Sequence, residues 1–272
     1  MTKSIITPLF RLIGILFLLL NTACGTQKSS SYAAKNQEFN ILTYNIHHAN
    51  PPSKPDVIDI DAICEVIRQS DADVVALQEV DVRTNRSGHI DQAKVIAQKV
   101  DMHYHFFKAI DHDGGEYGLA ILSRLPIRNP ETIPLPQVEK AEDRILALLQ
   151  VKINNTWITI ANTHLDATRS HNNRIAQMQF IMDKTASIHQ PIILCGDLNS
   201  KPTSEAIRIL DKYFKRTCID DCLPTVPQHK PRSTIDYIAT KHFPWEQKSI
   251  EVIPETYASD HRPVKITFKC IK

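Results

Sequence analysis

The chain has 272 residues, 42% of them hydrophobic and 23% charged, with 7 glycines and 16 prolines. That suits one globular unit, or at most two, and excludes a collagen-like or low-complexity chain. The formal net charge is +2, with no long run of one sign and no internal repeat, so the chain lacks the global pull of many nucleic-acid binders.

The first segment stands apart. Lys3 and Arg11 flank an apolar stretch, and Leu12 to Leu20 is interrupted only by Gly14. Asn21-Thr22-Ala23-Cys24 follows, then the polar segment Gly25 to Ser31. A positive start, a short apolar run and a small residue before a break read as a secretory signal over residues 1–23. A spanning helix needs about 20 apolar residues, which disfavours a permanent transmembrane anchor. Ala23-Cys24 resembles the processing site of bacterial lipoproteins, although Asn21 stands where that pattern prefers an apolar residue. The resemblance implies a lipid-modified Cys24 that anchors the exported protein to a membrane, facing the periplasm or cell surface. The alternative is plain secretion. Loss of residues 1–23 removes Lys3 and Arg11 and no acid, taking Lys+Arg from 32 to 30 against 30 Asp+Glu, so the mature chain is formally neutral.

Residues 24–37 read as a flexible tether, and 38–272 as one domain. Phe39 to Ile46 is rich in strand formers, and Pro51, Pro52 and Pro55 then mark a loop. Ile60, Ile63, Val66 and Ile67 recur at helical spacing. Asp73 to Val80 reads as a buried strand, Gln92 to Val100 as a short helix and His103 to Phe107 as a strand. Gly114-Gly115 predicts a turn before a strand at Tyr117 to Ser123. Ile145 to Ile153 and Trp157 to Thr163 form a hairpin about Asn154-Asn155. Ile175, Met178, Ile181 and Met182 make a helical core stripe. Ile192 to Cys195 is a short strand, Ser204 to Leu210 a helix and Ile235 to Thr240 a strand. Ile250 to Ile253 and Val264 to Phe268 close the domain. Many strands with few helices between them, and no even alternation, fit mixed sheets with helices outside rather than a barrel of eight equal units.

Cys64 and Cys195 lie in apolar patterns and read as buried thiols. Cys218 and Cys222, four apart, either pair in an oxidising compartment or remain free. No second pair follows at zinc spacing. Phe243-Pro244-Trp245 either packs as a loop or touches a membrane or headgroup.

Polar residues recur at the ends of apolar strands. Asn45 ends Leu-Thr-Tyr-Asn, Glu79 stands in Ala-Leu-Gln-Glu-Val, and His164 follows Ile-Thr-Ile-Ala-Asn-Thr. Asp197 and Asn199 follow Ile-Ile-Leu-Cys-Gly. Asp236 lies in Thr-Ile-Asp-Tyr-Ile, and Asp260-His261 in Ala-Ser-Asp-His-Arg-Pro-Val. Each alone is a turn, a cap or a tie. Together they are hard to explain structurally, because a buried carboxylate costs several kcal/mol unless paired or metal-bound. Carboxylate and amide oxygens suit a hard cation, Mg²⁺ or Mn²⁺. Phosphoester hydrolysis needs charge on the phosphoryl oxygens neutralised, a water activated and the leaving oxygen assisted.

The order Asn45, Gln78-Glu79, Thr163-His164, Gly196-Asp197-Leu198-Asn199, Ile235-Asp236-Tyr237 and Ser259-Asp260-His261 resembles the endonuclease/exonuclease/phosphatase superfamily, deoxyribonuclease I-like in fold. Segments such as Gln78-Glu79-Val80-Asp81, Arg86-Ser87-Gly88 and Gly114-Gly115-Glu116-Tyr117-Gly118 resemble its small bacterial metal-dependent hydrolases. The resemblance spans about Phe39 to Phe268. It implies a four-layered α/β (α+β) sandwich, two mixed sheets face to face with helices outside. It implies that Glu79, with Asn45 and Asp260, holds the metal. Asp197 orients or deprotonates water, Asn199 steadies phosphoryl oxygens, and His261, held by Asp236, acts as base or phosphate donor. His164 faces the phosphate from the other side and protonates the leaving oxygen. Arg86, Tyr117 and Arg144 are candidate phosphate contacts, each with a structural alternative, an ion pair or packing. His47 sits beside the site, while His48, His103, His105 and His112 carry no special role. Leu119 stands where relatives often have a polar residue, which puts a substrate contact there in doubt.

The expected protein is an exported, monomeric phosphodiesterase or phosphomonoesterase acting on a small or lipid-linked phosphate such as a lipid headgroup. A secreted endo- or exonuclease is the alternative; a nucleic-acid substrate is possible but not favoured, because no cationic, aromatic groove shows as a run. A third reading, a non-catalytic surface lipoprotein, predicts decay of the reactive set, and no member of that set is missing.

Overall fold

The computed structural model describes Met1, Thr2, residues 38–154 and residues 156–270. The signal segment beyond Thr2, the tether and Cys24 lie outside the described residues. Every element below belongs to one compact unit, Asn36–Lys272.

Two six-stranded mixed sheets stack face to face. The first runs β11 (Glu246–Val252), β12 (Val264–Lys269), β1 (Glu38–Asn45), β2 (Val74–Val82), β4 (Gly115–Ser123), β3 (His103–His112). The second runs β5 (Ile127–Pro134), β6 (Ile145–Ile153), β7 (Thr156–His164), β8 (Ile192–Asp197), β10 (Asp236–Lys241), β9 (Lys215–Arg216). The β1–β2 and β7–β8 pairs are parallel and the other pairs antiparallel. Among the described residues four α-helices flank them: α1 (Ile60–Ser70), α2 (Gln92–Val100), α3 (Asn172–Ala186) and α4 (Glu205–Asp211).

Period-two alternation builds the layers. Phe39, Ile41, Val74 and Ala76 from the first sheet meet Ile158, Ile160, Ile193, Cys195 and Ile238 from the second in one core. The opposite parity, Leu42, Tyr44, Val75 and Leu77, packs under α1 and α2. Leu194, Tyr237 and Ala239 pack under α3 and α4, with the predicted Met178 and Met182. Asp59 caps α1, accepting from Ala62 N at 3.0 Å, and Asp91 caps α2, accepting from Lys94 N at 3.0 Å.

The predicted elements are all present. Strand β3 runs on to His112, past a register shift between Lys108 and Ile110, to a turn at Asp113-Gly114, one residue earlier than expected. Strands β5 and β9 were not expected. β5 is a largely exposed edge strand carrying Pro130, so it lacks the apolar alternation that betrays a strand; β9 is two residues long. Cys64 and Cys195 are buried, and Cys218 and Cys222 form a disulfide with Cα atoms 5.2 Å apart. Phe243 and Trp245 pack on the inter-sheet core, their rings against each other and against Phe268 and Phe39. Among the described residues no helix is long and apolar enough to cross a membrane.

Candidate active site

The alternation that builds the inter-sheet core also delivers the chemistry. Continuing Phe39, Ile41 and Thr43 by twos puts Asn45 on the inner face of β1. Continuing Ile158 and Ile160 reaches Asn162 and His164, and Ile193 and Cys195 lead to Asp197. Because β7 and β8 are parallel and β10 is antiparallel to β8, His164, Asp197 and Asp236 lie side by side in one row. The apolar core therefore ends in a polar row at one edge of the sandwich.

Buried amides lock the sheets together beneath it. Asn162 Nδ2 donates across the sandwich to Leu77 O at 2.9 Å and Ala120 O at 3.2 Å. Gln78 Nε2 donates to Asn162 Oδ1 at 2.7 Å. Both side chains are fully buried, where each hydrogen bond carries directional weight.

Glu79 breaks the alternation. Gln78 already points inward, so a regular strand would send Glu79 to the helix side. Instead Glu79 has φ 57° within a register shift between Leu77 and Val80. A bulge of this kind re-aims a side chain, and Glu79 Oε1 accepts from Asn45 Nδ2 at 3.0 Å. The same Nδ2 donates to Asp197 Oδ2 at 3.1 Å, so one amide bridges the two sheets' carboxylates.

Both histidines converge on Asp197. His164 Nε2 lies 3.5 Å and His261 Nε2 3.6 Å from Asp197 Oδ2. His261 Nδ1 lies 3.1 and 3.0 Å from the two Asp236 oxygens. Burial raises the Asp197 carboxyl, and the nearby Asp236 charge raises it further, to about 7. Burial alone would lower His261, but Asp236 and Asp197 outweigh it and lift the imidazole to about 10. His164 goes the other way, held well below the usual range by burial and by the charges of Arg144 and His261.

The sequence itself matches a known family. The sequence profile described as Endonuclease/Exonuclease/phosphatase family matches residues 42–261. The chain belongs to this family. Its members hydrolyse phosphoesters. No curated protein sequence matches the chain significantly. Solved structures share its fold. An endonuclease/exonuclease/phosphatase from Beutenbergia cavernae superposes with TM-score 0.71 at 21% identity, covering 86% of this chain and 72% of that one. The Bacteroides thetaiotaomicron mannosyl-6-phosphatase gives 0.68 at 18% identity, covering 84% and 98%. The human Nocturnin catalytic domain with bound sulfate gives 0.66 at 21%, covering 86% and 94%.

The site is acidic enough for a divalent cation. Ligand atoms of Asp197, Asp236 and His261 lie within 4.8 Å of one another, and Glu79 joins them through Asn45. Asp260 approaches from the loop before β12. There Ser259 Oγ donates to Asn45 O at 2.7 Å and lies 3.4 Å from Asp260 Oδ1. Oxygen donors dominate, which fits a hard cation. Asn199, at φ 46°, donates its backbone N–H to Asp197 Oδ1 at 2.9 Å and its Nδ2 to Leu165 O at 3.0 Å. The Asn199 side chain is thereby fixed beside Asp197.

On the His164 flank, Arg144 is buried. Its Nη1 lies 2.8 Å from Glu142 Oε1 and 3.3 Å from His164 Nδ1. Tyr117, Arg144 and His164 line one narrow cleft, together with Leu119. The Arg86 guanidinium lies 5.5 Å over the Tyr117 ring and is bidentate on the buried Asp81, at 2.8 Å from each oxygen. Arg86 therefore enters the site already ion-paired, its side chain 33% exposed.

Three features were not read from the sequence. Asp81, which also accepts from Thr84 Oγ1 at 2.8 Å and from Ser87 Oγ, builds the Arg86 loop; the sequence shows Asp81 in the Gln78-Glu79-Val80-Asp81 segment but gives no sign of its pairing with Arg86. Arg174 donates to Asp166 O at 2.8 Å and Thr168 O at 2.7 Å, bracing the loop after His164. His48, at φ 43°, is lowered to about 4 by burial and then by Arg86; the charges of Asp81 and Asp260 act on it in the opposite direction.

The Asp236–His261 pair yields a stability prediction with a defined sign. Its folded pKa is raised, so its contribution is complete below pH 6.5 and disappears as pH rises through about 10. Asp236→Asn should cost about 3 kcal/mol in metal-free protein at pH 6, because it strips a buried cation of its partner. The deficit should shrink toward pH 10. Urea unfolding of both proteins across that range checks it, and a pH-independent deficit would contradict the ion-pair account.

Proposed function

We propose that this protein is an exported, divalent-metal-dependent phosphoesterase acting on a small or lipid-linked phosphate ester. The observation that carries the reading is the row of His164, Asp197 and Asp236, closed by His261 and bridged through Asn45 to Glu79. Glu79, with Asn45 and Asp260, would hold a divalent cation, and such an ion when bound would supply positive charge to the phosphoryl oxygens. Asp197, with its raised carboxyl, orients the attacking water and takes its proton; a base poised near the working pH suits that task. His261, held by Asp236, presents Nε2 to a phosphoryl oxygen, and Asn199 is fixed beside Asp197.

Export rests on two features. The apolar run before Ala23-Cys24 supports a lipid-anchored or secreted protein. The Cys218–Cys222 disulfide fits an oxidising compartment. A formally neutral mature chain favours a small or lipid-linked substrate over a nucleic acid, and the enzyme is proposed to act as a monomer.

The deciding assay uses metal-stripped protein restored with Mg²⁺ or Mn²⁺. The panel holds a generic phosphodiester, a sugar phosphomonoester such as mannose 6-phosphate, phosphosphingolipid and phosphoinositide headgroups, plasmid DNA and RNA. Turnover should appear only with metal and fall about 10³-fold in His261→Ala. Preferential nicking of DNA would move the assignment to a nuclease. Silence across the panel from folded, metal-loaded protein would remove the catalytic reading.

A further inference from the structure

His164 and His261 differ in what their Nδ1 atoms face. For His261 it is a carboxylate, Asp236, which can only accept when ionised. For His164 it is a guanidinium, Arg144 Nη1 at 3.3 Å, which can only donate. Nη1 carries two hydrogens. Nη1 is ion-paired with Glu142 Oε1 at 2.8 Å and stands at hydrogen-bond distance from His164 Nδ1. Both Arg144 and His164 are buried, so water does not substitute freely for either partner.

We infer that Arg144 is a positioning residue that fixes His164 as the Nε2–H tautomer. The lone pair sits on Nδ1, against the guanidinium. The N–H sits on Nε2, which lies 3.5 Å from Asp197 Oδ2 at the polar row. His164 then serves the site as a neutral hydrogen-bond donor, aimed at the carboxylate or at a phosphoryl or leaving oxygen that replaces it. This differs from the role implied by family resemblance, in which His164 carries a full proton to the leaving group. It also gives Arg144 a task other than direct phosphate binding: its charge reaches the reacting atoms through the imidazole. Glu142 ion-pairs with the same Nη1, and Tyr117 lines the cleft beside Arg144 and His164. The assignment of the donor's target rests on the phosphoesterase reading; the tautomer itself does not.

Nitrogen-15 labelling of the histidines in the full-length protein tests this, with His164→Gln identifying the His164 ring by difference. Long-range proton–nitrogen correlation separates a protonated ring nitrogen from an unprotonated one. At neutral pH, with and without Mg²⁺, the His164 Nδ1 should be unprotonated and Nε2 protonated. A ring with Nδ1 protonated, alone or together with Nε2, overturns the inference, and this arm needs no variant at Arg144 to fold. Arg144→Met should release the tautomer and lower kcat about 10- to 100-fold with little change in KM. Arg144→Lys, which keeps a donor, should restore both the tautomer and most of the rate. A rise in KM with the tautomer unmoved would instead make Arg144 a direct phosphate ligand and overturn the positioning role. An inactive wild-type enzyme that shows the expected tautomer would retire the phosphoesterase reading and leave the Arg144–His164 pairing standing.

Discussion

Asp197→Asn should lower kcat by about 10³-fold while leaving the protein folded. The substitution keeps the shape but reverses one face of the group. Asp197 Oδ1 accepts from Asn199 N at 2.9 Å, and an asparagine oxygen can keep that bond. Its amide nitrogen then falls where Oδ2 was, facing Asn45 Nδ2 at 3.1 Å and the two histidine Nε2 atoms. Donors confront donors, and the proton acceptor for the attacking water is gone. Stability should move the other way. The carboxyl is raised from 3.8 to about 7, so the folded metal-free wild type holds a proton that the unfolded chain releases, and it loses stability as pH climbs between those values. The variant carries no such penalty. The difference in unfolding free energy, variant minus wild type, should therefore grow in the variant's favour by up to about 1.4 kcal/mol per pH unit from pH 4 to 7, then level off. Steady-state kinetics and urea titrations at several pH values measure both. Near-normal kcat would displace Asp197 from the centre of the reaction, and a difference that declines with pH would show that its carboxyl is not the raised group.

What the sequence made legible follows from a simple repeat. Strand alternation runs unbroken through Phe39, Ile41, Thr43 and Asn45, and through Ile158, Ile160, Asn162 and His164, so the polar ends of those strands were bound to share the inner face. The four-layered architecture follows for the same reason: the two parities of each central strand bury against different partners. Glu79 was legible only as one of a set. Its orientation depends on a left-handed residue inside a strand, and nothing in Leu-Gln-Glu-Val announces a bulge. Pairings across long separations were hidden as well. Arg144, just before β6, and His164, at the end of the neighbouring β7, are 20 residues apart, and Asn162 reaches Leu77 and Ala120 across the sandwich. Such contacts depend on register and sheet packing, which composition and periodicity do not specify. The edge strand β5 was missed because an exposed edge places no apolar demand on its residues.

Gly196 shows how closely stability and catalysis are joined in this fold, and Gly196→Ala should be the most damaging single methyl group added to the chain's central strands. Gly196 precedes Asp197 on β8 with φ +151°, a conformation that L side chains rarely adopt. A Cβ there would lie 2.0 Å from the Thr163 carbonyl oxygen and 3.0 Å from its carbon. Those are backbone atoms of the paired strand, opposite Gly196 in the parallel ladder, so no side chain can swing aside. Relief requires β7 and β8 to part, and they carry His164 and Asp197 on the next residues. The expected cost is on the order of 4 kcal/mol or more, which for a domain of this size lowers the melting temperature by roughly 10 °C. Gly88→Ala is the control: its φ is +65° but nothing lies within 4 Å of the added carbon, so only the backbone conformation is penalised, by about 1 kcal/mol. Thermal melts of the two variants beside the wild type separate a steric wedge from a conformational preference. If the Gly196 variant melts no lower than the Gly88 variant, the strands have room to yield, and the tight β7–β8 seam is not what fixes the distance between His164 and Asp197.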